Sequence, residues 1–432
     1  MPSRKIVIIG GASAYTPGII EGFIKQSGDL RGSEIVLQDI DEPRLEIIGR
    51  LARRMIEASE TELSVQWTAD RTAALEGADF LLPQYRVGGL PARAIDEKIP
   101  LKYGVIGQET VGPGGLSMAL RAIALALKIA SEVQRVCPDA WWINYANPSG
   151  MVTEALAKHT PVKVIGLCDE PVGIKNVIAE FLLVNPSRLE IDNLGINHCG
   201  WIVRLYRDGK EITGGLKRFL SWVPTRLIPD HRFARVLELF RRYGLIPSPY
   251  LMYYYFAQEM IDRARRAPKT RAEVIMDQLP GIYDYYRKVA GQRKPALRKR
   301  RGAPGHADLA TQVIAAIAAD KNERHVVNVP GRGSIEDFTS DQVVEVPALV
   351  GAAGARPLMM GPLPGSVRDL ILRVKACEDL NVEAAVTGSY DRALDAMAAH
   401  PLVPSREIAR RVLDELLAAH RQYLPQFFPS NG

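Results

Sequence analysis

Long apolar runs are missing from this 432-residue sequence, and none reaches the roughly 18 residues that a membrane-spanning helix needs. Cysteine is scarce. Cys137, Cys168, Cys199 and Cys377 are too few and too scattered for a disulfide framework, which points to a reducing, cytoplasmic setting. The apolar stretch Lys5 to Ile9 stops at Gly10 and lacks the core of about 7–15 residues that a secretory signal requires. There is no repeat of fixed period and no low-complexity tract, so solenoids and linker arrays are excluded. Charge of one sign is also in short supply. The 55 Lys and Arg against 49 Asp and Glu leave +6, which suits an anionic small substrate but is too small and dispersed for nucleic acid. What remains is a globular composition, 47% apolar and 24% charged, in a chain long enough for two or three domains.

From Lys5 the pattern reads as a buried strand, a Gly10-Gly11 turn, a helix from Pro17 to Gln26, and a second strand ending at Asp39 and Asp41. Alternation continues with helix Glu42 to Ser59, strand Ser64 to Trp67, helix Arg71 to Leu75, strand Phe80 to Gln84 and helix Leu116 to Val136. Strand Ala140 to Tyr145, helix Met151 to Lys158 and strand Lys163 to Leu167 follow. Strands separated by helices predict an α/β fold, a parallel, doubly wound sheet over residues 1–170. After Cys168 the texture changes. A strand pair near Leu189 to Gly195 and Trp201 to Leu205, the turn Arg207-Asp208-Gly209-Lys210 and mostly helical segments predict a second, mixed α+β domain over 171–432. Its landmarks are the Tyr-rich stretch Tyr250 to Tyr255, a basic run Arg293 to Arg301, helix His306 to Ala319, strands near Val326 and Val343, and a final helix Arg406 to Leu424.

Three groups of residues carry chemistry. The first is Gly10-Gly11-Ala12-Ser13, between a strand and a helix, with Asp39 and Asp41 closing the next strand. Glycine lets the backbone approach a pyrophosphate, the helix end favours the anion, and a carboxylate after the second strand can bind ribose hydroxyls. The third glycine of the usual dinucleotide motif is absent. The second group is Cys168, directly after a strand, with His198 thirty residues later at another strand end; a thiolate and an imidazole can share a divalent cation. A small core cysteine and a hydrogen-bonded core histidine give the same pattern. The third is Asn147-Pro148-Ser149-Gly150, an amide for a sugar or ribose hydroxyl, or equally a turn with a helix cap. The tyrosines at 250–255 read as packing and the basic run as a solvated loop when each is taken alone.

Taken in order, Ile9 to Pro17, Asp39-Ile40-Asp41, Arg86-Val87-Gly88-Gly89, Asp96 to Thr110, Asn147 to Gly150, Gly166-Leu167-Cys168-Asp169, Gly195 to His198 and Val343 to Pro347 closely resemble glycoside hydrolase family 4, the NAD- and divalent-metal-dependent glycosidases. The segment 96–110 is the most specific, and the family lies outside the two-carboxylate rule for glycosidases. The resemblance implies a Rossmann-type NAD-binding domain over 1–170 and a metal- and substrate-binding α+β domain over 171–432. It implies Gly10, Gly11, Ser13, Asp39 and Asp41 at NAD, and Cys168 and His198 on the metal, with Mn²⁺ the expected ion. It further implies Arg93, Asn147 and Arg271 on the substrate, Tyr250 as base, Glu109 tuning that base, and Asp169 as proton donor. The reaction implied is hydride transfer from C3 to NAD, C2 deprotonation, elimination, water addition and return of the hydride. Arg93 and the Pro247 to Tyr254 stretch resemble the branch acting on 6-phosphoglycosides, with 6-phospho-β-glucosides expected. Asp169 argues toward the α anomer, because many β-specific members carry Asn there. The alternatives are an α-specific or unphosphorylated glycoside substrate, a lactate- or malate-type dehydrogenase, and a sensor on the same fold. A homo-oligomer, dimer or tetramer, is expected, with neither nucleic acid nor membrane as partner.

Overall fold

The computed structural model describes residues 2–223, 231–298, 301 and 308–428. The first part alternates as β1 (Lys5–Ile9), α1 (Thr16–Lys25), β2 (Glu34–Gln38), α2 (Glu42–Ser59), β3 (Ser64–Thr68), α3 (Arg71–Leu75) and β4 (Phe80–Pro83). It continues with α4 (Gly89–Lys102), α5 (Gly112–Val136), β5 (Trp141–Asn144), α6 (Ser149–His159) and β6 (Lys163–Gly166). In β1 the apolar run is unbroken because both faces are covered: Ile6 and Ile8 enter one hydrophobic cluster, Val7 the cluster on the other face. These six strands are all parallel, in the order β6-β5-β4-β1-β2-β3. The strand order reverses beside β1, and that is where an open α/β sheet leaves a crevice at its carboxyl edge.

The chain then passes through α7 (Glu170–Phe181), β7 (Leu189–Ile196), β8 (Cys199–Arg207), β9 (Lys210–Glu211), α8 (Thr213–Trp222), α9 (His231–Tyr243) and β10 (Ile246–Pro247). Strands β10, β8 and β7 form a separate antiparallel sheet to which β9 is joined by a tight hairpin. Asp208 and Gly209 both take positive φ there, 51° and 73°, as a two-residue hairpin turn demands. The remainder is α10 (Met252–Tyr255), α11 (Ala257–Arg266), α12 (Arg271–Ala290), α13 (Asp308–Ala318), β11 (Glu323–Pro330), β12 (Val343–Gly351), β13 (Gly354–Pro357), α14 (Gly365–Thr387), α15 (Tyr390–Ala399) and α16 (Arg406–Ala419).

The large sheet does not stop at β6. Asn328 of β11 pairs antiparallel with Gly166, and β12 and β13 follow, giving nine strands in the order β13-β12-β11-β6-β5-β4-β1-β2-β3. An edge strand left with open N–H and C=O groups is thereby covered by residues from the C-terminal half. Several elements also differ from expectation. Helix α4 was not anticipated, α5 starts at Gly112 rather than Leu116, and the last helix ends at Ala419 before a 3₁₀ turn at Arg421–Tyr423. His306 and Ala307 of the expected helix, and Lys299 and Arg300 of the basic run, lie outside the described residues.

Candidate active site

At the end of β1, Gly10 turns the chain with φ +89°, and its N–H and that of Gly11 both donate to the Gln38 carbonyl, at 2.9 and 2.8 Å. A Cβ on Gly11 would stand 2.8 Å from Leu37 Cβ and 3.0 Å from Gln38 N, so the turn lies flat against β2. Helix α1 then begins with no acidic residue in its first turn, so its positive dipole end favours an anion, while Thr16 N and Gly18 N are already bonded to the carbonyls of Ser13 and Tyr15, each at 3.0 Å. Asp39 braces the turn, its carboxylate accepting from Ala12 N at 2.9 Å and Asp41 N at 3.0 Å. Asp41 caps α2 by accepting from Arg44 N. On the other side Tyr283 and Tyr286 of α12 donate to the carbonyls of Ala12 and Ala14, at 2.8 and 2.9 Å. A flat glycine turn, a helix N-terminus without acidic residues and adjacent carboxylates together fit a dinucleotide.

Cys168 follows β6, and His198 sits in the tight β7–β8 turn with φ +61°. The two meet, with Sγ 3.4 Å from Nε2. Thr110 Oγ1 lies 2.7 Å from Nδ1 of the same ring, so an N–H donated there leaves the Nε2 lone pair facing the sulfur. Burial pushes His198 down to about 4, which keeps it neutral and able to act as a ligand. The Cys168 thiol is pushed well up by burial and by the Glu345 and Glu170 carboxylates. Glu170, the first residue of α7, completes a triad whose ligand atoms all lie within 4.8 Å of one another. Burial and the neighbouring Glu345 push it up to about 8. Sulfur, imidazole and carboxylate, with both acids held back from ionising, form a donor set that fits a divalent cation.

The Tyr250 ring lies flat on His198, centroids 3.7 Å apart at 9°. Its phenol is pushed well above the usual range by burial, then by Cys168, Glu170 and Glu109. Glu109 is clamped between Arg86 and Arg93; burial would raise it, but the two guanidiniums hold it below the ordinary carboxylate range. Arg93 is buried and also pairs through Nε with Glu97 at 2.7 Å. Arg301 stacks on the Tyr15 ring at 5.2 Å and is pushed down by burial and by the charges of Arg271 and Arg93. Three guanidiniums thus crowd one side of the cleft. Asp169, beside Cys168, is hydrogen-bonded by Tyr145, whose phenol burial and that carboxylate push far up.

Of the residues singled out in the sequence, Cys168, His198, Tyr250, Glu109, Arg93 and Asp169 form one linked set, Arg271 is tied to it only through its charge on Arg301, and Gly10, Gly11, Ser13, Asp39 and Asp41 form the turn after β1 and β2. Asn147 lies in the turn between β5 and α6, ahead of a cis bond to Pro148, at the same carboxyl edge of the sheet. Sequence reasoning passed over Arg86, Thr110, Glu170 and Arg301. Arg86, Thr110 and Glu170 each lie within two residues of a singled-out position or in a recognised motif, which is the only sequence signal they carry.

Two family models match the chain: the family 4 glycosyl hydrolase over residues 5–184 and its C-terminal domain over residues 193–403. A probable 6-phospho-beta-glucosidase of Bacillus subtilis (strain 168) is 41% identical, the match covering 98% of each chain. The structure of the 6-phospho-beta glucosidase from Thermotoga maritima with NAD and glucose-6-phosphate superposes with a TM-score of 0.89 at 31% identity, covering 98% of this chain and 99% of that one. A 6-phospho-alpha-glucosidase from gut microorganisms in complex with NAD and Mn²⁺ gives a TM-score of 0.89 at 29% identity, covering 98% and 100%. With both family domains matched in order and full-length relatives above 30% identity, the chain belongs to the family 4 glycosyl hydrolases.

Proposed function

We propose that this glycosidase hydrolyses 6-phospho-β-glucosides with NAD and a divalent cation, Mn²⁺, as cofactors. The observation that carries the reading is Tyr250 stacked on His198, with Cys168 3.4 Å from that ring, at the same sheet edge as the Gly10–Gly11 turn. The β preference follows the 41%-identical relative.

When bound, NAD on Gly10, Gly11, Ser13, Asp39 and Asp41 supplies a hydride acceptor for C3, and the cation on Cys168 and His198 supplies a Lewis acid for the sugar oxygens. Tyr250 takes the C2 proton at its phenol oxygen, oriented by the ring beneath it. Burial is the main cause that holds this phenol protonated, and Cys168 and Glu170 add to it; a cation held by those two groups would offset their charge and favour the phenolate. Glu109 stays ionised between Arg86 and Arg93 and fixes both guanidiniums. Arg93 and Arg271, with Arg301 beside them, bind the phosphate, and Asn147 binds a sugar hydroxyl. Asp169 gives a proton to the departing aglycone oxygen.

The test is a panel of nitrophenyl α- and β-glucosides with and without a 6-phosphate, in NAD⁺, Mn²⁺ and thiol reductant. The 6-phospho-β-glucoside should exceed its unphosphorylated analogue in kcat/KM by about a hundredfold, roughly 2.7 kcal/mol, with no net NADH. Equal turnover of an unphosphorylated sugar would sink the phosphosugar assignment, and stoichiometric NADH would favour a dehydrogenase. A charged sugar phosphate does not cross membranes unaided, so a cytoplasmic place of action accompanies this reading. No helix among the described residues is long and apolar enough to cross a membrane.

A homo-oligomer is the second part of the proposal. Val177, Phe181 and Leu183 at the end of α7, with Phe219 and Trp222 of α8, expose apolar surface, and Phe181 and Phe219 pair edge to face at 5.5 Å. Sedimentation should give a dimer or tetramer that Trp222→Glu weakens; a wild-type monomer at micromolar concentration would refute it.

A further inference from the structure

We propose that Glu170 is a third protein ligand of the divalent cation, completing a Cys168–His198–Glu170 triad. The inference rests on the reading of Cys168 and His198 as ligands and assigns to the same site a residue that no motif in the sequence singled out.

Three observations carry it. Ligands that share one ion at bond lengths of about 2.0–2.3 Å stand about 3–3.6 Å apart when adjacent. Sγ and Nε2 are 3.4 Å apart, and the Glu170 carboxylate lies within 4.8 Å of both without any rearrangement of the backbone. The second observation is charge. Glu170 accepts a hydrogen bond from Ser248 Oγ at 2.9 Å, and its charged neighbour is another carboxylate, Glu345. Glu345 is itself buried, and among the described residues its carboxylate accepts from the side-chain amides of Asn193, Asn197 and Asn328, at 3.0 to 3.2 Å. No lysine or arginine among the described residues forms an ion pair with Glu170 or Glu345. Two half-buried or buried carboxylates and a thiol, packed together without a cationic side chain, are far more stable around a metal ion than around nothing. The third is position. Glu170 opens α7, where the helix end favours an anion, and the Cys-x-Glu spacing turns both side chains toward the β7–β8 turn that carries His198.

A triad changes what the ion can do. One thiolate, one imidazole and one carboxylate would hold the ion and still leave it open to sugar oxygens. The hard carboxylate also tilts a Cys/His pair, which alone suits Zn²⁺, toward Mn²⁺. The rival role for Glu170 is mechanical: Ser248 also accepts from Tyr250 N at 3.2 Å, so the carboxylate anchors the loop that carries the tyrosine.

Binding of Mn²⁺ to the NAD-loaded enzyme, read from the electron paramagnetic resonance signal of free aqueous Mn²⁺, separates the two without any sugar present. Glu170→Gln keeps the Ser248 hydrogen bond and the volume but removes the anionic donor, and should raise the Mn²⁺ Kd about tenfold or more. Glu170→Asp, which keeps the charge on a shorter stem, should fall between. Ser248→Ala should leave the Kd within about twofold. A Glu170→Gln Kd within about twofold of wild type, or a Ser248→Ala Kd raised as much as that of Glu170→Gln, overturns the proposal. Cys168→Ser is the reference: if it too leaves the Kd unchanged, the metal-site reading itself fails, and with it the triad.

Discussion

A thiol and an imidazole 3.4 Å apart become a metal site only if each is held in its ligating state, and the two residues face opposite problems. Burial already keeps His198 neutral, at about 4, and Thr110 sets which nitrogen faces the sulfur. Burial works against Cys168, whose thiolate form is disfavoured until a cation arrives. A serine hydroxyl at 168 does not ionise even then. Cys168→Ser and His198→Ala should each cut Mn²⁺-dependent hydrolysis by about a hundredfold or more, measured by nitrophenol release across a Mn²⁺ titration. NAD affinity should be retained in both, because the Gly10–Gly11 turn leaves a different strand and shares no hydrogen bond with either residue. Full activity in either variant would remove the site.

At the scale of elements, the turn between β1 and α1 makes the sharpest demand on its residues. Gly10 has φ +89°, and a Cβ there would stand 3.1 Å from Tyr85 N and 3.2 Å from Gln84 C, backbone atoms of the segment after β4 that cannot swing aside. Gly10→Ala should therefore cost about 1–2 kcal/mol in stability and raise the NAD Kd at least about tenfold while Mn²⁺ still binds, by calorimetric titration of each. This turn was legible because everything that makes it is local: a five-residue apolar strand, two glycines, a helix start, and carboxylates one strand later. The parallel strands were legible for the same reason, since burial on both faces writes an unbroken apolar run. Helix α4 was not. Its segment Gly89 to Lys102 contains Pro91 and Pro100 and buries Arg93, Asp96 and Glu97, so polar residues occupy the side an amphipathic pattern assigns to the core. They are inside because Glu109, Arg121 and Ala272 N meet them there, partners supplied by distant segments. Glu170 escaped notice similarly: its meaning depends on His198 and Ser248, which only the folded chain brings near.

For the whole molecule, the change of texture near residue 170 does not mark where contacts end. Strand β11 extends the sheet past β6, α14 packs on α5, and the chain's last turn reaches back to α4 through a buried charge cluster. There Asp96 accepts from Ser117 Oγ at 2.9 Å, pairs with Arg121 at 2.5 Å, and lies 2.9 Å from His420 Nε2, all three charged or titratable side chains being almost fully buried. Burial would push Asp96 up, but the His420 hydrogen bond and the Arg121 guanidinium outweigh it, and the carboxyl ends below its ordinary 3.8. A folded value below the unfolded one means that this cluster stabilises the native state fully above about pH 4, and that the contribution is lost as pH falls through and beneath that value. Asp96→Asn leaves Arg121 buried without its counter-charge, so it should cost about 3–5 kcal/mol at pH 7. The same variant should lose its disadvantage in acid, because the wild-type carboxyl is then also neutral. Urea unfolding followed by tryptophan fluorescence from pH 7 down to pH 3 should show the two stability curves converging toward the acid end. Parallel curves would mean that the Asp96 charge contributes nothing and that its hydrogen bonds alone tie the C-terminal turn to α4.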